Sequence, residues 1–445
     1  MISEISCARR GRKVTLPKWR AVWRTSFARE FHQIALKKNG RWWKKLWKIA
    51  ARFLGFRIYS IVPIPSTAET IGVLEAAGPL ISGRVVNSRV EEALDSPNRH
   101  QLTAHVVNDA LLSLNRRGGF ALREGELLTR SPVIDSIPKI VFGGAPVAGE
   151  LNQIDSSVLL RKPVIGSTVP EGIYVGALAP HNWFHWLIDT LPVVNQLAKL
   201  PRALGHAPVL LPSTALVRDT WITALDCVLH GRKVLPLDPA SFHKIRKLVL
   251  VDGATTAFPR PLGPTTAEGR IFANPLVLQQ FKERVLESLE ISPDAKKPFR
   301  KIFLARRATA ARPYNQEEIF SVAKSFGFSL VFLEDLTFRQ SVKIFTEAEA
   351  IVGPHGAGLA NCLFSPARTP VLYWTWEDRR GDNWYETLFR ACQLDVRVLR
   401  IPAQSHHGSA VEERQADYRL SVREFRQSLE EMLSLIPQQG RPSIK

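Results

Sequence analysis

Residues 351–361 read I-V-G-P-H-G-A-G-L-A-N, an apolar run followed by closely spaced glycines. Such a run indicates a buried strand, and the glycines mark a turn that lets a ligand approach the backbone. Unpaired N–H groups at the start of the next helix attract anions, typically phosphate. The stretch therefore predicts a strand, an anion-binding turn formed by His355, Gly356, Ala357 and Gly358, and a helix from Gly358.

Two other motifs fit the same stretch in part. Gly356-x-Gly358-x-x-Asn361, with Glu377 further on, is similar to a dinucleotide-binding fingerprint, but its third glycine is missing. His355-Gly356 is similar to the oxyanion loop of esterases, but the sequence contains no G-x-S-x-G nucleophile motif. A phosphate-binding turn without either chemistry fits the residues better.

Strands and helices alternate around this turn. A boundary is predicted at Phe258–Pro264, which is rich in proline and glycine. Beyond it the apolar periodicity predicts a helix with Leu278, Phe281, Val285 and Leu289 on one face, strands over 301–305, 328–333, 350–352, 370–374 and 396–400, and helices over 317–326, 339–348 and 383–392. Alternation of this kind predicts a parallel sheet with helical crossovers.

The chain before that boundary changes its pattern at His181. Short β-like segments, among them 101–106, 140–142 and 172–175, precede this residue. After it the pattern predicts helices to 200 and over 215–229, and strands over 208–211, 233–235 and 247–251. Pro63, Pro65 and Ser66 mark an earlier linker. The predicted units are a head (1–60), an N-terminal lobe (70–258), a C-terminal lobe (265–402) and a C-terminal packing helix (410–437).

The charge of the chain is concentrated in the head. The 445 residues are 45% hydrophobic and 23% charged, as in an ordinary globular protein, and the net charge is +19. Residues 1–60 hold 16 Lys and Arg against two acids, so only +5 remains for the rest of the chain. A charge of +19 suggests a polyanionic partner, and the position of the charge indicates that the head would contact it.

Residues 41–54 read R-W-W-K-K-L-W-K-I-A-A-R-F-L. At 100° per residue the Trp, Leu, Ile and Phe side chains share one face of a helix, and the Lys and Arg side chains share the opposite face. Indole rings prefer the headgroup region and cations meet anionic lipid, so we expect an interfacial helix on an anionic membrane surface. The alternatives are a helix that packs its Trp face on the protein's own core, and nucleic-acid binding. No recognised nucleic-acid module accompanies the segment, so no nucleic-acid partner is expected.

Cysteine usage and hydropathy give the expected compartment. Cys7, Cys227, Cys362 and Cys392 lie far apart, without metal-ligand spacing, which favours free thiols in a reducing compartment. No run of 18 uncharged apolar residues is present, and the N-terminus lacks the apolar region of a secretory signal. The expected location is cytoplasmic, with peripheral association at the inner face of the membrane.

A second candidate motif, H-N-W-F-H-W-L-I-D, occupies residues 181–189. In a helix this spacing places His181, His185 and Asp189 on one face, so that a carboxylate can orient a base-capable imidazole. The same three residues could also be metal ligands, but no H-E-x-x-H pattern or further ligand accompanies them. A single histidine here would more often be a hydrogen-bonded core residue; two histidines and an aspartate among tryptophans favour a functional site.

A basic block follows the strand predicted over 301–305. Arg306 and Arg307 stand directly after this strand, and Arg312 and Asn315 lie in the next loop. Loops at the carboxyl ends of parallel strands form the ligand crevice, so these guanidinium groups could pair with a diphosphate. For each arginine alone, a solvent-exposed surface position is about as common, and the nearby glycine turn strengthens the joint interpretation.

These three motifs together resemble glycosyltransferase family 61. The resemblance rests on H-N-W-F-H-W-L-I-D-T-L-P (181–192), on R-R-x4-R-x2-N (306–315) and on V-G-P-H-G-A-G-L-A-N-C-L-F (352–364), in the family's order and spacing. It covers roughly residues 100–400. The family's usual Asn-Glu pair is Asn315-Gln316 here.

The resemblance implies an α/β fold of GT-B type, with two facing Rossmann-like lobes. It places a nucleotide-sugar donor mainly in the C-terminal lobe and a glycan or lipid-linked acceptor toward the N-terminal lobe. It also implies transfer of a hexose or pentose with inversion, without a cofactor or metal, as in capsule or other cell-surface polysaccharide assembly.

The resulting assignment gives each motif a role. His185 is the expected base or orients it, with Asp189 and His181 as the other catalytic candidates. The expected donor-binding residues are Arg306, Arg307, Arg312, Asn315, His355, Gly356, Ala357 and Gly358. The alternatives are a non-catalytic nucleotide-sugar-binding or scaffold protein and, less favoured, a nucleic-acid-binding protein.

Overall fold

The structure is a computed structural model that describes residues 56–434 apart from 64–68, 79–82, 93–99, 116–117, 130–151, 155–156, 162, 176–180, 252–254, 259–269, 293–297, 308–312, 377–383 and 403–417. Several predicted features lie outside the described residues: the helix over 41–54, the strand over 140–142, most of the boundary at Phe258–Pro264, Cys7, and Arg312.

The strands are β1 (Phe56–Pro63), β2 (Glu69–Gly78), β3 (Gly83–Val86), β4 (Arg89–Glu92), β5 (His100–Asn115), β6 (Gly118–Arg123), β7 (Glu126–Thr129), β8 (Asn152–Ile154), β9 (Ser157–Arg161), β10 (Ile165–Tyr174), β11 (Val209–Pro212), β12 (Val234–Leu237), β13 (Phe242–Val251), β14 (Thr255–Phe258), β15 (Arg270–Ala273), β16 (Arg300–Leu304), β17 (Ser329–Val331), β18 (Ala348–Pro354), β19 (Pro370–Trp376) and β20 (Asp395–Ile401).

The α-helices are α1 (Trp183–His185), α2 (Leu191–Gln196), α3 (Asp219–Asp226), α4 (Pro275–Ser288), α5 (Gln316–Ser325), α6 (Phe338–Thr346), α7 (Trp384–Ala391) and α8 (Val422–Leu433). A π-helical turn (Trp186–Thr190) joins α1 to α2, and 3₁₀ helices span Leu197–Lys199, Arg202–Leu204, Ser213–Ala215, Leu333–Asp335 and Ala357–Phe364.

The predicted α/β alternation after residue 300 forms a parallel sheet. Its strands lie in the order β17-β16-β18-β19-β20, all parallel. The order along the sheet reverses between β16 and β18, because β17 follows β16 in the chain but lies on its other side. In open α/β sheets the ligand crevice lies at the carboxyl ends of the strands beside such a switch point. Arg306 and His355, which follow these two strands, therefore lie at the expected position.

A second, larger sheet contains the parallel strands β12, β11, β10 and β13, side by side in that order. Antiparallel pairing continues the sheet from β13 through β5 to β6 and β7. The order of the parallel strands also reverses at β10, whose neighbours are β11 and β13. The chain that leaves the carboxyl end of β10 leads to α1, which carries His185.

The two sheets do not divide the chain in strict sequence order. The hairpin of β3 and β4 lies within the predicted N-terminal lobe, yet it extends the C-terminal parallel sheet through the pairing of β4 with β20. Strand β1 begins at Phe56, inside the predicted head, and pairs with β7 and β9 in the larger sheet. These pairings were not predicted, because the sequence of a strand does not indicate which sheet the strand joins.

One hydrophobic core cluster connects elements of both sheets. Its large side chains include Trp186, Phe281, Phe338, Phe345 and Phe364, all fully buried. Phe364 contacts both Phe281 of α4 and Phe338 of α6, with ring centroids 6.3 and 5.9 Å apart. The 3₁₀ helix Ala357–Phe364 is therefore packed between α4 and α6. None of the helices within the described residues has the length and hydropathy needed to cross a bilayer.

Candidate functional site

His185 and Asp189 form a hydrogen-bonded pair. The Asn182 side chain accepts a hydrogen bond from the Phe184 N–H (2.9 Å), as an N-cap does, so the helix begins at Trp183. His185 Nδ1 lies 2.6 Å from Asp189 Oδ2, across one turn of this helical segment. His181 is exposed and precedes the helix, so the helical face that carries His185 and Asp189 does not include it, and its catalytic role stays a prediction.

The carboxylate of this pair is buried. The Asp189 side chain is 5% exposed and that of His185 is 15% exposed. A buried carboxylate is costly unless it is hydrogen-bonded or paired, and here the imidazole supplies the partner. Asp189 lies in the π-helical turn, a feature that is frequent at functional sites. If Nδ1 donates to Asp189, Nε2 of His185 is left as a proton acceptor.

Two aromatic side chains of α7 connect His185 to the glycine turn. The Trp384 ring is perpendicular to the His185 ring, with centroids 4.9 Å apart. The neighbouring Tyr385 contacts Phe184 (4.7 Å) and the His355 ring (4.4 Å). The two predicted motifs, more than 150 residues apart in the chain, therefore meet against adjacent residues of one helix.

Helix α7 is itself anchored by a buried acid. The Tyr373 hydroxyl donates to Glu386 Oε1 at 2.5 Å, and Arg400 Nη2 lies 3.9 Å from the same oxygen. Burial, together with the neighbouring Glu386, raises the pKa of Tyr373 well above its usual range, so the phenol remains a proton donor. The aromatic residues before Glu386 are thereby held in place beside the two motifs.

Arg306 joins the two strands at the switch point. Its Nη2 donates to the backbone carbonyl of His355, and the His355 N–H donates to the Trp374 carbonyl at 2.9 Å. The backbone of Arg306 is bound on both sides by Gln316: Oε1 accepts from the Arg306 N–H (2.7 Å), and Nε2 donates to the Arg306 carbonyl (3.0 Å). This arrangement fixes the carboxyl end of β16 relative to β18.

The glycines in and just before the turn lie close to neighbouring side chains. A Cβ atom on Gly358 would lie 2.7 Å from Leu333 Cδ1, and one on Gly356 would lie 3.0 Å from Arg306 Nη2. A Cβ on Gly353 would lie 2.8 Å from Leu304 Cβ. The sequence predicted that glycine lets a ligand approach the backbone, which stays a prediction. In the structure, the missing Cβ atoms leave room for neighbouring side chains.

The segment after the turn is a 3₁₀ helix where the sequence predicted an ordinary helix. Gly356 is its N-cap, with no side-chain cap, and the Leu359 N–H donates to the Gly356 carbonyl (3.0 Å). The first N–H groups of a helix have no acceptor within the helix, so the turn can offer amides to an anion. At the other end, Lys282 Nζ donates to the Ser365 carbonyl at 2.5 Å, and burial lowers the pKa of this lysine.

Arg307 lies apart from Arg306 and His355. Its guanidinium pairs with Asp335 and lies over the Phe332 ring, 4.2 Å from the centroid. The pair is about half exposed, and the contact lowers the pKa of Asp335 and raises that of Arg307. The backbone of Arg307 follows β16, but its guanidinium therefore lies beyond the carboxyl end of β17, the strand next to β16.

Asn315 is engaged with the C-terminal segment. Its Nδ2 donates to Glu318 Oε2 (2.8 Å) and to the Leu420 carbonyl (3.1 Å), and its Oδ1 accepts from the Leu420 N–H (2.9 Å). Its amide thus holds the chain before α8 against the loop after Arg307. The predicted donor-binding role of Asn315 stays a prediction.

Trp384, Tyr385 and Gln316 were not predicted as site residues. A signal for the first two was available, since an aromatic pair follows the strand predicted over 370–374. Among the described residues, no group of three His, Cys, Asp or Glu side chains is arranged as a metal site. The prediction that the chain requires no metal stays a prediction.

The histidine–aspartate pair can supply a base, and the backbone amides of the glycine turn can face an anion, which are the groups needed to transfer a group away from an anionic leaving group. Residues 183–372 match the family model described as Glycosyltransferase 61, which confirms the resemblance to that family over this segment. The segment contains His185, Asp189, Arg306, Arg307 and the glycine turn; Trp384 and Tyr385 lie beyond it. No curated protein matched the chain. The family supports glycosyltransferase activity.

Proposed function

We propose that the chain is an inverting glycosyltransferase of GT-B type that transfers a hexose or pentose from a nucleotide sugar to a hydroxyl of a glycan or lipid-linked acceptor. Two sheets whose parallel strands each reverse their order support two Rossmann-like halves. The donor would bind at the switch point between β16 and β18, and the acceptor beside α1. Assembly of a cell-surface polysaccharide, such as a capsule, is the expected setting.

The contact of both motifs with α7 carries this proposal. The His185 ring lies against Trp384, and the His355 ring lies against Tyr385. A base and an anion-binding turn on the same helix suit a reaction in which a proton leaves the acceptor while charge develops on a leaving diphosphate. Aromatic side chains around His185 also exclude water, which strengthens local electrostatic interactions.

The proposed reaction is a single displacement. Nε2 of His185 takes the proton of the acceptor hydroxyl while its oxygen forms a bond to the anomeric carbon of the donor sugar. The bond from that carbon to the diphosphate breaks, and its electron pair remains on the diphosphate oxygen. Arg306, Arg307 and Arg312, with the Gly356–Gly358 amides and His355, would stabilise this charge without a metal.

A screen of nucleotide sugars tests the proposal. We expect a UDP- or GDP-sugar to raise the melting temperature, since a ligand at 100 times its Kd adds about 2.7 kcal/mol of stability. The same donor should release its nucleotide when a suitable glycan acceptor is added. If a donor binds but is neither transferred to an acceptor nor hydrolysed, the result would favour a non-catalytic binding protein. If no donor stabilises the protein, the result would contradict the proposal.

Replacement of Arg307 tests the donor side. Arg307→Ala should weaken binding of a nucleoside diphosphate by about 10- to 150-fold, because a charge-assisted hydrogen bond to phosphate contributes about 1.5–3 kcal/mol. Isothermal titration calorimetry measures this affinity. Asp335→Asn is the matched variant: it removes the carboxylate that pairs with Arg307, so we expect equal or tighter binding. Unchanged affinity of Arg307→Ala would remove this residue from the donor site.

The proposed membrane association of the head is tested with vesicles. A variant lacking residues 1–54 leaves β1, which begins at Phe56, intact. We expect the full chain to sediment with phosphatidylglycerol vesicles but not with phosphatidylcholine vesicles, and the shortened chain to remain in solution. Each basic residue near an anionic surface contributes about 1 kcal/mol. Equal sedimentation of both chains would contradict a membrane-binding head.

A further inference from the structure

Gln316 holds the backbone of Arg306 as a neighbouring strand would. Its Oε1 accepts from the Arg306 N–H at 2.7 Å and its Nε2 donates to the Arg306 carbonyl at 3.0 Å. The Tyr314 hydroxyl donates to the same Oε1 at 3.1 Å, which fixes the orientation of the amide. Only an amide side chain can accept and donate in this way; a carboxylate of the same shape can only accept.

This double contact acts at the point where β16 has ended. The Ala305 N–H still donates to the Val331 carbonyl of β17 (2.9 Å), but the next residue has left the sheet. The Arg306 guanidinium then reaches the His355 carbonyl across the switch point. Gln316 binds the backbone of Arg306, and the position of this backbone sets the direction of the Arg306 side chain. The guanidinium donates to the carbonyl of His355, the residue at which the turn to Gly358 begins.

We propose that Gln316 is a positioning residue for the anion-binding edge: it fixes Arg306, and through Arg306 the turn at His355, in the geometry that receives the donor diphosphate. The inference rests on the proposed function for the nature of that anion. This role requires no contact between Gln316 and the donor, since the side chain of Gln316 is bound to Arg306 and Tyr314. Its loss should therefore weaken diphosphate binding while the His185–Asp189 pair keeps its hydrogen bond.

The experiment compares Gln316→Glu, Gln316→Met and the control Glu317→Gln in the full chain. The Gln316→Glu variant would keep the acceptor but place a carboxylate oxygen against the Arg306 carbonyl, and Gln316→Met would remove both hydrogen bonds. Glu317 is exposed and adjacent in the chain, and Glu317→Gln is the reverse of the amide-to-carboxylate exchange in Gln316→Glu. Affinity for UDP, GDP and inorganic pyrophosphate is measured by calorimetry, and amide hydrogen exchange by mass spectrometry over 305–307 and 355–358.

We expect both Gln316 variants to exchange faster over 305–307 and 355–358 and to bind the best of the three anions about tenfold more weakly, which corresponds to about 1.4 kcal/mol. Glu317→Gln should match the wild-type protein. Unchanged exchange in Gln316→Met, or unchanged affinity despite faster exchange, would overturn the positioning role. If the wild-type protein binds none of the three anions, the proposed function fails, and exchange over both segments alone decides whether Gln316 fixes Arg306 and the turn.

Discussion

His185→Ala is expected to lower the rate of sugar transfer by about 10²–10⁴-fold, the usual contribution of a positioned general base. The structure gives this residue a buried carboxylate partner at 2.6 Å from Nδ1, and donation by Nδ1 to that partner would leave Nε2 to accept the proton. Affinity for the donor should remain unchanged, because the proposed donor site lies at the switch point between β16 and β18, whereas His185 follows β10 of the larger sheet. Initial rates at saturating donor and acceptor, with calorimetry of donor binding, separate the two effects.

Two further variants make this result specific. Asp189→Asn keeps the shape of the pair but removes the carboxylate that orients the imidazole, so we expect a loss of the same order. His206→Ala is the control: its imidazole is 75% exposed and contacts Glu171 on the surface, so transfer should not change. Transfer by His185→Ala within about threefold of the wild-type rate would exclude His185 as the base, given the usual contribution of such a group.

Local spacing was sufficient to predict the His185–Asp189 pair, because residues four apart in a helix lie on one face. It was not sufficient for His181, since the Asn182 side chain caps the helix and leaves His181 outside it. The π-helical turn over Trp186–Thr190 was also not predicted. Capping is thus the local feature that would have improved this prediction.

The strand–glycine–helix pattern correctly predicted the parallel strands that contain the switch point. It could not predict what the long side chains bind, because a guanidinium reaches partners that are distant in sequence. Arg306 binds the His355 carbonyl, and Arg307 binds Asp335, although the two residues are adjacent. Likewise, the contact of Trp384 with His185 depends on packing between elements about 200 residues apart, for which a single sequence carries no signal.

The C-terminal segment is the part of the fold whose loss we expect to destabilise the donor side most. Tyr418 stacks on Tyr314 with ring centroids 5.4 Å apart, and the Trp374 indole N–H donates to its hydroxyl at 2.7 Å. Helix α8 then buries Phe425, whose ring lies 5.8 Å from that of Trp374. These contacts hold the loop that precedes Gln316, so the stability of α8 bears on the anion-binding edge.

Phe425→Ala should therefore lower the free energy of unfolding by about 3–5 kcal/mol, the cost of removing a fully buried ring and leaving a cavity. Val422→Ala, on the exposed side of the same helix, should change it by less than about 0.5 kcal/mol. Denaturant titration measures both. Because Tyr418 and Leu420, just before α8, contact the loop before Gln316, Phe425→Ala should also increase amide exchange over 313–316 under native conditions. If Phe425→Ala destabilises the chain but leaves that exchange unchanged, α8 stabilises the sheet without positioning the loop; if the two variants are equally stable, the packing of Phe425 against Trp374 contributes little to folding.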